Sequence, residues 1–252
     1  MRRIAIGLVL CATAVSAWSQ PAAPERVIIP TVFSGLLPGG YGSEWKLVIV
    51  GRNDGDAYVK VSEPFDCNIE CPTPPAQPHS TFELNLSDAA GLGAFVYIEN
   101  PGSDEVSLDA RIQDVSRPAE TWGTELPIVR QGDTFTRTLG LLNVPTSPAF
   151  RSTLRIYDYD IRLRSDVRVR FYDMITDELL AEVPVTLSTN SAYRPPQARM
   201  IDVAAIYPHL RSAETVRISV EPVTPGLRFW AFVSVTNDVT QHVTMVRPDN
   251  PR

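Results

Sequence analysis

Two cysteines four positions apart, Cys67 and Cys71, have the spacing in this chain that most directly suggests chemistry. A close cysteine pair can form a disulfide, hold part of a metal site, or act as a redox-active dithiol. The compartment in which the chain folds decides between these chemistries, because disulfides persist in oxidising environments and are rare in the cytosol. The N-terminal residues indicate that compartment.

Residues 1–17 have the order of a secretory signal peptide: two arginines, an apolar run from Ile4 to Val15, and small residues before Trp18. We predict cleavage before Trp18 and a spacer over residues 18–26. The apolar run is shorter than the roughly 20 residues that span a bilayer, and we predict no transmembrane segment in the mature chain. The predicted location is therefore secreted: periplasmic, extracellular or on the cell surface.

In an exported chain the pair Cys67 and Cys71 predicts a local disulfide. The bridge would close a short loop and add about 2 kcal/mol on the chain-entropy model. A structural zinc site needs four ligands, and the chain has only three histidines beside this pair. Redox pairs usually have two intervening residues and begin a helix, whereas this pair has three and no helical pattern. Free thiols, metal binding and redox activity are the open alternatives, and we predict no metal and no cofactor.

Two further motifs suggest catalysis or calcium binding. Ser43-x-x-Lys46 matches the nucleophile motif of penicillin-interacting enzymes, but the companion Ser-Asp-Asn and Lys-Thr-Gly elements do not occur in the chain. The segment from Asn53 to Asp56 is acidic and contains a glycine, but it lacks the later glutamate of a continuous calcium loop. Since the chain also has no Gly-x-Ser-x-Gly elbow, we predict that it is not an enzyme.

Four arginines alternate with apolar residues between positions 161 and 171: Arg162, Arg164, Arg168 and Arg170. Alternation in strands places the arginines on one face and the apolar residues in the core. We expect a tight turn at Ser165–Asp166 between the two pairs. Guanidinium groups gathered on such a face could bind carboxylate, sulfate or phosphate. The alternative, which we favour, is a solvated sheet face whose charge nearby aspartates offset.

Aromatic residues could instead form a sugar-stacking strip on the strands. The candidates are Trp45, Trp122, Trp230, Phe229 and Tyr172. Because most aromatic residues of a sandwich belong to its core, we rank this strip below the arginine face.

The elements that would position these residues are strands. Short alternating runs rich in Val, Ile, Thr, Phe and Tyr are separated by Gly, Pro, Asn and Asp, which is typical of an all-β sandwich. We predict a hairpin of Trp45–Val50 and Ala57–Val61 around Asp54–Gly55. Residues 90–100 and 105–115 are predicted to pair in the same way.

Residues 80–130 and 198–248 share a loose order of strands and turns, and each segment ends near a Val-Arg pair. An internal repeat of this length indicates duplicated domains. We therefore predict two tandem immunoglobulin-like antiparallel β-sandwiches, over residues 27–130 and 131–248. A single larger β-sandwich is the alternative.

The segments IPTVFSG…YGSEWKLVIVGRN, RTLGLLNV…LRIYD and FWAFVSVTNDVTQHVTMVRP resemble those of a loose group of secreted bacterial β-sandwich proteins. The resemblance implies an immunoglobulin-like fold and an exported location, and it supplies no catalytic residue.

From the residues and this resemblance we predict a non-enzymatic structural or interaction protein of the bacterial periplasm or cell surface. Its partner would be a protein or a cell-surface glycan. Loss of Arg2 and Arg3 with the signal peptide takes the formal net charge from −6 to −8, and an acidic chain without a clustered basic face indicates no nucleic-acid partner. The alternatives are a carbohydrate- or polyanion-binding module that uses the arginine face, and a hydrolase whose site is assembled from loops. The residues do not fix the oligomeric state.

Overall fold

The computed structural model describes residues 23–62, 75–86, 92–99, 102–117, 122–187, 199–203 and 213–248. The predicted signal peptide, Cys67, Cys71 and His209 lie outside the described residues. The described part of the chain forms sixteen β-strands and three short 3₁₀ turns, at Gly40–Gly42, Ser103–Glu105 and Gln131–Asp133. The prediction of an all-β protein is confirmed.

The first eight strands, residues 25–126, are called the first half. They are β1 (Glu25–Ile29), β2 (Leu36–Pro38), β3 (Glu44–Asn53), β4 (Val61–Ser62), β5 (Ser80–Glu83), β6 (Ala94–Ile98), β7 (Val106–Asp114) and β8 (Thr124–Leu126). The remaining strands, residues 139–246, are called the second half. They are β9 (Leu139–Pro145), β10 (Phe150–Asp158), β11 (Ser165–Asp173), β12 (Leu179–Leu187), β13 (Arg199–Asp202), β14 (Thr215–Pro222), β15 (Phe229–Asn237) and β16 (Val243–Val246).

These strands pair antiparallel in four sheets, and each sheet is built within one half, consistent with a β-sandwich architecture. In the first half the strand orders are β1-β6-β4 and β2-β3-β7-β8, with β5 also paired to β3. In the second half they are β12-β11-β14-β9 and β13-β10-β15-β16. Part of this pairing is the same in both halves. In the first half β6 lies between β1 and β4, and in the second half β14 lies between β9 and β11. Likewise β3 pairs with both β5 and β7 in the first half, and β10 pairs with both β13 and β15 in the second. A duplicated domain would have this repeated pairing.

Both predicted hairpins are wrong. Strand β3 pairs with β2, β5 and β7, whereas β4 pairs with β6 in the other sheet. The chain leaves its sheet after Asn53 because that buried side chain holds the next residues in a loop, donating to the carbonyls of Ala57 and Ala76. Strands β6 and β7 also belong to different sheets. Alternation predicts which face a side chain occupies, but it does not predict the partner strand.

Strands β1 and β6 are buried on both faces. Val27 and Val96 pack into the core of the first half, whereas Ile28 and Phe95 pack among the buried residues of the second half. A strand that is covered on both faces has a continuous apolar sequence instead of an alternating one, as Val27–Ile29 has. The β1-β6-β4 sheet therefore lies between the other sheet of the first half and the second half, and the two halves share an apolar interface.

Within the described residues, no helix combines the length and apolar composition that crossing a bilayer would require.

Candidate functional site

Aromatic side chains of the second half fix the junction between the halves. The buried hydroxyl of Tyr157 donates to the carbonyl of Pro30, and that of Tyr159 donates to the carbonyl of Arg26 at 2.5 Å. Burial raises the pKa of both tyrosines, so their hydroxyls keep the protons that they donate. The Arg26 guanidinium lies 4.8 Å from the ring centroid of Phe95 and 4.4 Å from that of Tyr159, which is within the range of a cation–π contact.

The segment that joins the halves is tied to both of them. Val129 exchanges two backbone hydrogen bonds with Ile28, and Phe135 exchanges two with Phe229. Arg130 contacts Glu25 at 2.6 Å and also donates to two backbone carbonyls of the first half. The linker is therefore part of the packed structure and not a free hinge.

Edge strands of the two halves meet beside this linker. The Thr124 hydroxyl of β8 donates to the carbonyl of Val243 in β16 at 2.6 Å. Arg247, which follows β16, donates to the carbonyl of Glu125 at 3.1 Å. These side chains join the two sheet edges, which have no continuous ladder of backbone hydrogen bonds between them in the described residues. A concave surface lies beside this contact.

That concave surface is a cleft of about 480 Å³, called here the junction cleft. Residues from both halves line it: Trp45, Asp114, Arg117, Gly123, Thr124, Thr240, Gln241, His242 and Val243. The lining combines an indole ring, a carboxylate, a guanidinium, an imidazole, a carboxamide and hydroxyl groups. Such a surface can stack a flat ligand and also exchange hydrogen bonds with it.

A glycine-rich loop holds the tryptophan of the junction cleft. The indole Nε1 of Trp45 donates to Ser43 Oγ at 3.1 Å, and that hydroxyl donates to the carbonyl of Gly40 at 2.8 Å. A Cβ at Gly39 would lie 2.1 Å from Ser43 Oγ, so the loop can approach the indole only with glycine there. The same loop contacts Gln241, since a Cβ at Gly40 would lie 3.3 Å from its Oε1.

Asp114 and Arg117 form the charged part of the junction cleft. Asp114 is 4% exposed, and its Oδ1 accepts hydrogen bonds from the Ser116 hydroxyl at 2.5 Å and from the Glu44 amide at 3.3 Å. Burial alone would raise the pKa of Asp114, but these hydrogen bonds and the nearby Arg117 lower it. Arg117 Nε lies 3.9 Å from Asp114 Oδ2, and Arg117 Nη1 donates to the carbonyl of Thr240 at 3.0 Å.

We expect the free energy of unfolding to decrease as the pH falls below about 3.8, the ordinary pKa of Asp114 and Asp160, two of the carboxyl groups whose pKa the fold lowers. Burial opposes both shifts, and hydrogen bonds and arginines outweigh it. A carboxylate with a lowered pKa in the fold stabilises the protein above its unfolded pKa, and this stabilisation is lost as the pH falls through the folded value. Urea unfolding between about pH 5 and pH 2 measures the slope. Asp114→Asn should reduce that slope, and an unchanged slope would contradict the assignment.

The structure separates the four arginines predicted to share one face. Val167, Val169 and Phe171 are buried, and Arg168 and Arg170 lie on the opposite face of β11, as the alternation predicts. Both guanidiniums contact the same two glutamates, Glu182 and Glu221: Arg168 at 3.5 and 3.6 Å, and Arg170 at 2.7 and 2.8 Å. This part of the surface is thus a four-residue ionic cluster with balanced charge.

Arg162 and Arg164 precede β11 and do not continue its face. Ser165–Asp166 begins β11 instead of forming the predicted turn. The alternation ends before it because Ile161 has a φ of 54°, and Leu163, predicted to be buried, is 80% exposed. Arg162 donates to the carbonyls of Pro225 and Gly226 at 3.1 and 2.7 Å. Arg164 lies 3.6 Å from Asp166.

The other motif residues lie apart from one another. The Ser43 hydroxyl accepts a hydrogen bond from the Trp45 indole. Lys46 lines a separate cavity of about 460 Å³ along β3. His79 contacts Asp56 at 2.9 Å on the surface. Among the residues that the structure describes, no three His, Cys, Asp or Glu side chains are placed to hold a metal ion.

Of the predicted aromatic strip, only Trp45 lines the junction cleft. Phe229 and Trp230 are buried in the second half, and Tyr172 stacks under the Arg217 guanidinium at 4.0 Å. Trp122 is 77% exposed and directly precedes Gly123 of the cleft lining. Sequence reasoning missed Asp114, Arg117 and Gln241. The glycine-rich segment before Trp45 is a local feature that could have drawn attention to this region.

The chain was compared with protein families, curated proteins and solved structures. No family model, no curated protein and no solved structure matches the chain.

Proposed function

We propose that this chain is an exported, non-enzymatic structural and interaction protein of the bacterial periplasm or cell surface. It consists of two tandem immunoglobulin-like sandwiches, over residues 27–130 and 131–248, held in one fixed orientation. The observation that carries the proposal is the apolar interface between the halves, in which Ile28 and Phe95 of the first half are buried among residues of the second.

This interface suits a rigid role. Domains within one chain move relative to each other by default, unless their interface is large and hydrophobic. Here the faces of β1 and β6 are covered, and the buried hydroxyls of Tyr157 and Tyr159 have carbonyl partners across the junction. A rigid pair of sandwiches keeps binding surfaces at a constant separation, as a structural or adhesive protein requires.

The N-terminal residues support export. Two arginines, an apolar run and small residues before Trp18 favour removal of residues 1–17 during secretion. Export would place Cys67 and Cys71 in an oxidising compartment, where a disulfide between them is favoured. Both features suit a protein that works outside the cytoplasm.

Expression of the full chain with a C-terminal tag in a bacterial host tests export. The expected product begins at Trp18, is found in the periplasmic or extracellular fraction, and has a mass about 2 Da below that of the reduced form because of one disulfide. An Ala17→Arg variant is the control, because a large charged residue before the cleavage site should leave the precursor uncut. A wild-type product that retains Met1 in the cytoplasm would refute export.

Small-angle X-ray scattering of the mature protein tests the fixed orientation. One arrangement of the two halves should fit the profile at low and at high salt. Salt screens interactions between exposed charges, and the interface between the halves is apolar. A profile that requires a range of inter-domain distances would contradict the rigid role.

A further inference from the structure

The junction cleft has the size and side chains of a saccharide-binding site. We propose that it binds a neutral oligosaccharide unit, such as a segment of a cell-surface glycan. The inference rests on the proposed interaction function and adds the ligand class and the residues that hold it. It places the ligand between the halves and not on the arginine face of β11.

The size of the junction cleft suits a small organic ligand. Its volume of about 480 Å³ lies in the range of roughly 300–1,000 Å³ that is usual for small-molecule sites. Such a space accommodates roughly two or three sugar rings. It exceeds what a single ion needs.

Trp45 supplies a stacking surface in the cleft wall, and Trp122 is a candidate for a second one. The apolar C–H face of a pyranose ring packs against an aromatic face, and the Trp45 indole in the cleft wall is held by its bond to Ser43. Trp122 is 77% exposed and directly precedes Gly123 of the lining, which makes its ring the second candidate for such a contact. Gly123, with a φ of +95°, follows it at a turn where a Cβ would lie 2.4 Å from the carbonyl oxygen of Ile112.

The polar groups match sugar hydroxyls, which both donate and accept hydrogen bonds. The Asp114 carboxylate can accept, the Arg117 guanidinium can donate, and the Thr240 hydroxyl can do either. Asp114 and Arg117 are already positioned by bonds to Ser116 and Thr240, so little ordering is needed when a ligand binds. The charges of Asp114 and Arg117 balance each other, which favours a neutral sugar over a polyanion.

The same lining favours binding without cleavage. Glycoside hydrolysis uses two carboxyl groups on either side of the bond that breaks. Asp114 is the single carboxylate among the lining residues that the structure describes. The arginine face is a weaker candidate, because Glu182 and Glu221 already contact Arg168 and Arg170.

Isothermal titration calorimetry of the mature protein with triacetylchitotriose, cellotriose, maltotriose and a heparin tetrasaccharide tests the proposal. We expect at least one of the three neutral trisaccharides to bind with a Kd below about 1 mM. Trp122→Ala and Arg117→Gln should each weaken that binding by about tenfold. Arg117→Gln also removes the hydrogen bond to the carbonyl of Thr240, which could lower stability. Trp122 is exposed, so Trp122→Ala should fold normally and test the site by itself.

Matched substitutions outside the cleft serve as controls. Tyr58→Ala and Arg164→Gln change an exposed aromatic residue and an exposed arginine elsewhere, and each should alter the Kd by less than about twofold. Absence of binding of all three neutral trisaccharides at about 10 mM would overturn the proposal. Binding of a neutral trisaccharide that both cleft variants leave unchanged would also overturn it. The same holds if only heparin binds and its binding is lost when serine replaces Arg162, Arg164, Arg168 and Arg170. Processing at Trp18 reports separately on export, so failure of the saccharide site is distinguishable from failure of the proposed function.

Discussion

Replacing Phe95 by alanine is expected to destabilise both halves of the molecule, by about 3–5 kcal/mol. Phe95 belongs to β6 of the first half, is 1% exposed, and packs in the core of the second half. Its ring meets the edge of Tyr159 at a centroid distance of 6.1 Å and stacks under the Arg26 guanidinium at 4.8 Å. The substitution would leave a cavity at the junction and remove one of the two rings that contact a largely buried cation.

Hydrogen exchange read by mass spectrometry can follow the two halves separately, with β7 reporting on the first and β15 on the second. We expect Phe95→Ala to lower protection in both strands by the same free energy, because the interface supports both halves. Tyr58→Ala, at an exposed aromatic position, is the control and should change stability by less than about 0.5 kcal/mol. Loss of protection confined to β7 would show that the halves are independent and would refute the rigid role.

The apolar runs of β1 and β6 show what the sequence could and could not predict. Their composition indicates strands, and β1 and β6 are strands. That both faces are covered could be suspected from the lack of alternation, but residues that cover one face, such as Tyr159 against Phe95, lie in the second half and are distant along the chain. Period-two patterns record the environment of each face and contain no information about the strand that pairs with it. The two hairpin predictions failed for this reason.

The arginine face and the junction cleft illustrate the same limit for sites. Alternation correctly placed Arg168 and Arg170 opposite the core, yet their partners, Glu182 and Glu221, come from neighbouring strands that no local pattern identifies. The junction cleft joins three segments near residues 45, 114–124 and 240–243. Trp45 and Asp114 are opposite each other in the register of β3 with β7, whereas Thr240, Gln241, His242 and Val243 come from the second half. Because alternation does not predict strand pairing, sequence reasoning found Trp45 as an aromatic candidate but could not place it beside Asp114 and Arg117.

The second large effect is expected at Asn53, where Asn53→Asp should destabilise the protein by about 2–4 kcal/mol at pH 7. Asn53 is fully buried. Its Nδ2 donates to the carbonyls of Ala57 and Ala76 at 2.8 and 3.0 Å, and its Oδ1 accepts from the Gly55 amide at 3.0 Å. An aspartate of the same shape keeps the acceptor for Gly55 but loses both donors, and it brings a carboxylate oxygen against two carbonyl oxygens.

The pH dependence separates this mechanism from a simple loss of packing. Burial beside carbonyl oxygens would raise the pKa of the new carboxyl group above its unfolded value. A carboxyl group with a raised pKa in the fold destabilises the native state at pH values above the unfolded pKa, and the penalty shrinks as the pH falls toward that value. Urea unfolding should therefore show a smaller difference from the wild type at about pH 4 than at pH 7.

Asp54→Asn, at the next and exposed position, is the matched control and should cost less than about 0.5 kcal/mol. An Asn53→Asp penalty that is equal at both pH values, or below about 1 kcal/mol, would mean that the chain crosses from β3 to the other sheet without depending on this amide.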